Sequence, residues 1–205
     1  MSVFKVRVKG PMACFTQPEF KTNAVSYDII TPSAARGIIE AILWKPAIRW
    51  FINQIDVLCP IERMSYMYNG INKKFSERGL VVDANKDRIQ RNNNILINVE
   101  YIIHCYFKMT NKAGEEDNIS KFEDMFKRRC LKHEVFRLPY FGCKKFLLSD
   151  YELLNNDFKI NPINLTEDLG RMFYDFDYKN NKFPIFFNAK LINGSMIIPH
   201  INGDK

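Results

Sequence analysis

SYDIITPSAARGIIEAILWKPAIRW, residues 26–50, holds a helix with a marked start and stop, followed by an aromatic and basic exit. Thr31 before Pro32 is a start signal, because the threonine oxygen can accept an unpaired backbone N–H and proline has no amide hydrogen to lose at the first helical position. Ala34, Ala35, Ile38, Ile39 and Ile42 recur at helical spacing, Gly37 is expected to let another backbone approach closely, and Pro46 stops the helix beyond Trp44. In the exit, Trp44, Lys45, Arg49 and Trp50 combine rings that can stack on bases with cations that can pair with phosphate.

Upstream, Val3 to Lys9 alternates strictly and reads as a strand with Phe4, Val6 and Val8 on one face and Lys5, Arg7 and Lys9 on the other. Downstream, Ile48 to Leu58 reads as a second strand, and the polar stretch 63–94 as a long excursion from the core. Ile95 to Met109 resumes alternation, and Asn118 is a candidate cap for a helix running to about Lys132, with Ile119, Phe122, Met125, Phe126 and Cys130 on its buried side. Val135 to Phe141 is a candidate last strand. The resulting order is βαββαβ, so the fold class expected is α+β, with a ferredoxin-like or RRM-like N-terminal domain over 1–143. Residues 144–205 are expected to form a small C-terminal lobe with an antiparallel sheet, Leu169 to Tyr178 and Pro184 to Ile192 flanking a turn at Lys179–Asn180–Asn181.

The 205 residues are 46% hydrophobic and 26% charged, a globular balance, and the net charge of +7 fits a polyanionic partner. Aromatics make up 14%, with seventeen Phe, and in several places they alternate with cations. Five cysteines without a CxxC pair or a signal peptide read as reduced thiols of a cytosolic protein, and no apolar run suits a membrane span. Three scattered histidines give no metal-ligand spacing, so neither a metal nor a cofactor is expected.

Phosphate-cradling glycine loops, nucleophile elbows and paired-histidine metal helices are absent. A chain of this kind that cuts a phosphodiester has a metal-free route open to it on RNA. There a 2′-hydroxyl attacks its own phosphate while side chains move protons and a cation steadies the charge. His133 beside Lys132, and His104 near Tyr106 and Lys108, have suitable groups, though a histidine at a helix end is commonly only an exposed cap. Arg36, Lys45, Arg49 and Arg91 are the candidate phosphate contacts.

The 26–50 stretch resembles the signature of the Cas-five family, subtype d, of type I-C CRISPR systems. VRVKGPMACFTQPEFK, Gln90–Arg91 with NVEYIIHCYFKMT, KAGEEDNISKFEDMFKRR and RLPYFGCKKF resemble further family segments in the same order. The resemblance implies an RRM-like domain that binds the CRISPR repeat hairpin, cleaves precursor RNA at the hairpin's 3′ base without metal, and stays on the 5′ handle of the crRNA as a Cascade subunit. Other type I-C Cascade subunits are implied partners, and target DNA is a further candidate.

The resemblance places the family's catalytic aromatic at Trp44 and its lysine at Lys121, while Phe122 stands at the histidine position. Phenylalanine cannot act as acid or base, and it completes the apolar side of its helix. Three explanations stay open: Lys121 suffices, another group such as His133, His104 or Tyr106 stands in, or the chain is a scaffold that holds the 5′ handle without cutting. An unrelated RRM-like RNA binder is a third class of reading, which the ordered motifs disfavour.

Overall fold

In a computed structural model, the described residues are 2–20, 22–71, 83, 85–155, 161–178 and 180–200. Eight strands and two helices form an α+β fold in the order β1 (Phe4–Ala13), α1 (Pro32–Ile42), β2 (Ile48–Val57), β3 (Glu62–Ile71), β4 (Arg88–Met109), α2 (Ile119–Lys132), β5 (Asp150–Leu154), β6 (Glu167–Asp177), β7 (Phe183–Leu191) and β8 (Ser195–Ile197). The main sheet runs β5-β1-β4-β2-β8, with β3 also paired to β4, and every pairing is antiparallel.

Both helices cover one face of this sheet. Thr31 caps α1 through its hydroxyl oxygen, which accepts from the Ala34 N–H at 3.3 Å, and Ala35, Ile38, Ile39 and Ile42 turn inward. Asn118 caps α2 in the same way through the Lys121 N–H at 2.9 Å. Phe122, Phe126 and Cys130, spaced four apart, face the sheet, where Phe126 packs on Phe4 and Trp50 and Phe122 on Phe107. Arg129 donates to the Ile42 carbonyl at 2.7 Å, which ties α2 to the C-terminal end of α1. The residues of β6 and β7 form a separate two-stranded sheet whose Met172, Phe187, Ala189 and Leu191 join the common core.

Several local expectations change. Helix α1 ends at Ile42 rather than Trp44. Trp50 is 1% exposed and donates its indole N–H to the Leu43 carbonyl at 2.8 Å, so it is a core ring rather than a stacking surface. The segment Val135 to Phe141 is no strand: Phe136 and Leu138 stand exposed, and the edge position beside β1 is taken by β5. The excursion at 63–94 is in part a β-hairpin, Glu62 to Ile71 paired with Arg88 to Ile97. Residues 72–82 and 84 of that stretch, and Lys179 of the expected C-terminal turn, lie outside the described residues.

Candidate nucleic-acid interface

The connection after α1 and the connection before α2 are knitted together at the Met109 end of β4. Thr110 donates its hydroxyl to the Pro46 carbonyl at 2.6 Å and its N–H to the Ala47 carbonyl at 2.9 Å. Trp44 is half exposed, its ring 5.9 Å from that of Phe136 at 32°, and Phe136 is anchored by its own N–H on the Ala41 carbonyl. The two rings make an apolar shelf beside exposed Lys45.

Asp117 engages cations from both connections. Its Oδ2 accepts from the Gly114 N–H at 3.1 Å and its Oδ1 from Lys121 Nζ at 3.0 Å. The Gly114 hydrogen bond, then Lys121, then the charge of Lys45 hold its carboxyl below the usual carboxylate range. Lys45 and Lys121, which are 76 residues apart in sequence, therefore act on one carboxylate. The Lys121 ammonium stays open to solvent on the first turn of α2, where helix amides also favour an incoming anion. Phe122 beside it is 2% exposed, so the position next to Lys121 points into the core.

The other candidates lie elsewhere. Arg36 is committed: its guanidinium makes a two-pronged pair with Asp175 of β6 and a 3.4 Å contact to Glu40. Burial alone would lower the Arg36 pKa, but Asp175 and Glu40 together raise it, while burial lifts the Glu40 carboxyl despite Arg36. Arg49 sits over the Phe51 ring at 5.5 Å with Lys108 over the same ring at 5.2 Å. Arg91 is on the hairpin opposite Tyr68, on the order of 60 Å of strand from Met109.

The three histidines do not gather at Lys121. His133 caps the far end of α2, about 18 Å along the helix, and packs on Tyr151. His104 lies on the sheet face away from the helices, where its Nε2 is 2.6 Å from Asp56, which also accepts from Gln54 and Ser195. Burial pushes the Asp56 carboxyl up, but these three hydrogen bonds together bring it below its ordinary value. His200 packs edge-on to Tyr106, whose ring stacks 5.3 Å from Phe51. Among the described residues no group of three or more His, Cys, Asp or Glu is placed to hold a metal ion, and no helix is long and apolar enough to cross a membrane.

Asp117 carries only a weak sequence signal. Its signal is an acid four residues before Lys121, which reads equally well as ordinary helix-start chemistry. Lys145, 4.0 Å from the Tyr68 ring and 4.8 Å from that of Tyr66, is a second cation–aromatic cluster that no sequence spacing announces.

Residues 3–195 match the Cas5d family, described as CRISPR-associated protein (Cas_Cas5). The chain belongs to the Cas5d family. Among Cas5d relatives, the CRISPR pre-crRNA endoribonuclease Cas5d of Mannheimia succiniciproducens is 41% identical across 95% of this chain and 94% of its own length. The protein of the same description from Thermus thermophilus is 29% identical across 97% and 92%. A solved structure of a CRISPR-associated protein superposes with a TM-score of 0.74 at 21% identity, covering 97% of this chain and 92% of its own. A functionally uncharacterized protein of Streptococcus mutans, SMU1763c, does so with a TM-score of 0.74 at 21% identity, covering 97% and 93%. At such identity the two structures share the fold with this Cas5d chain.

Proposed function

We propose that this Cas5d protein is the pre-crRNA endoribonuclease of a type I-C system. It binds the CRISPR repeat hairpin, cuts it by metal-independent attack of the RNA 2′-hydroxyl, and remains on the 5′ handle as a Cascade subunit in the cytoplasm. Support comes from family membership and from two relatives that carry the endoribonuclease name. The observation that carries the reading is the open Lys121 ammonium, held by Asp117, a carboxylate that also feels the charge of Lys45, the residue after Trp44. Trp44 stacks on a base at the cut site, Lys45 contacts phosphate, and Lys121 offsets the charge that develops on the phosphorus-bound oxygens.

The sheet order β5-β1-β4-β2 with both helices on one face supports an RRM-like domain to which β5 contributes an edge strand. Phe122 removes the imidazole from the family's acid–base pair, and its burial favours a second reading, a scaffold that holds the 5′ handle without cutting. A labelled repeat hairpin incubated with the protein in EDTA separates the two. One cut at the hairpin's 3′ base is expected, whereas binding without any cut selects the scaffold.

A further inference from the structure

Gly37 is a mid-helix glycine with no packing reason. Gly37 was expected to admit a neighbouring backbone, yet a Cβ built on it meets nothing within 4 Å, and its φ is not of the left-handed kind that favours glycine. Glycine weakens a helix relative to alanine, so neither helix formation nor close packing accounts for it. Gly37 instead forms part of the wall of a cavity of about 280 Å³ between α1, the end of β1, the turn at 140–142 and Phe173 of β6. A side chain longer than Ala at position 37 would occupy that space.

The lining has the character of a base site. Phe15 and Phe173 supply ring surface, and Thr16, Ser33 and Tyr140 supply hydroxyls that can both donate and accept. No charged side chain lines it, which suits a neutral ring edge better than a phosphate. Its volume falls just below the range of about 300–1,000 Å³ typical of small-molecule sites, so it fits a single ring system rather than a whole nucleotide. The outer wall is fixed in place: the Phe173 N–H donates to the Tyr27 hydroxyl at 3.2 Å, and two residues on, Asp175 is clamped by Arg36.

We propose that this cavity receives one unpaired nucleobase of the bound RNA, and that Gly37 is there to keep it open. The proposal rests on the RNA-binding reading above and adds a specificity site at the N-terminal end of α1, away from Lys121. The test is a cycle that combines Gly37→Leu with repeat RNAs carrying a single abasic nucleotide at each unpaired position in turn. At one position the abasic RNA should bind wild-type protein about tenfold more weakly, Gly37→Leu should weaken intact RNA by about the same factor, and the two together should cost no more than either alone. Gly37→Ala should melt at or above the wild-type temperature. If Gly37→Leu does not fold, Phe173→Leu, which keeps apolar bulk and removes the ring, replaces it in the same cycle. Additive losses at every position, or full affinity in the variant, would overturn the pocket and leave the RNA-binding reading standing. Failure of the wild-type protein to bind repeat RNA would overturn both.

Discussion

Arg36–Asp175, on the first helix, and Lys121–Asp117, at the start of the second, are the same kind of contact put to opposite uses. The side chains of the first pair are 20% and 7% exposed, and they join α1 to the strand that walls the cavity. Those of the second are 43% and 22% exposed, Asp117 lies just before the second helix and Lys121 on its first turn, and the ammonium faces solvent. Burial turns the first into a structural tie whose charge is already used, whereas exposure leaves the second able to meet an incoming anion. A cation in a basic sequence is therefore a ligand for RNA only where the fold has not already spent it.

The largest effect expected from this contrast is on stability. Arg36→Ala leaves Asp175 buried without its partner and should cost about 3–5 kcal/mol in a denaturant titration. A variant of unchanged stability that bound RNA with a weaker salt dependence would instead make Arg36 a phosphate ligand. Trp44→Ala should leave folding nearly intact while weakening hairpin binding by about 1–3 kcal/mol, read by titration with labelled RNA. Equal affinity for the two proteins would remove Trp44 from the interface.

The smallest effect expected concerns pH. The Asp56 carboxyl titrates lower in the folded protein than its ordinary value near about 3.9, so its contribution is fully present above that value and is lost as pH falls through the lower folded one. Asp56→Asn should flatten the acid limb of a stability profile below about pH 4. An acid limb as steep as the wild type's would show that other carboxylates set it.

The two tryptophans show how much of this was legible in sequence. Trp44 and Trp50 stand in one window with similar neighbours, and no spacing rule separates them. Trp50 falls on the strand face that meets Phe4 and Phe126, and Trp44 lies in the link before it. The capped helices and the strands flanked by them were readable because each has one buried face and a repeating period. Strand β3 was not, since residues Glu62 to Met67 are almost all exposed and alternation carries no hydrophobic signal when neither face is covered. The segment Val135 to Phe141 misled for the converse reason: its apolar residues alternate, but Phe136 supports Trp44 instead of joining the sheet. Trp44 stood out by its aromatic and basic neighbours and Lys121 only by resemblance, while the Asp117 contact and the Gly37 cavity needed the tertiary arrangement.

Single-turnover cleavage of the repeat hairpin by Lys121→Ala, measured in EDTA with binding followed on the same samples, bears most directly on the central claim. If Lys121 offsets the developing charge as proposed, removing this solvent-facing cation should slow cleavage by about 100-fold or more at nearly unchanged affinity and melting temperature. Cleavage at the wild-type rate would contradict the account and move the catalytic centre away from the second helix.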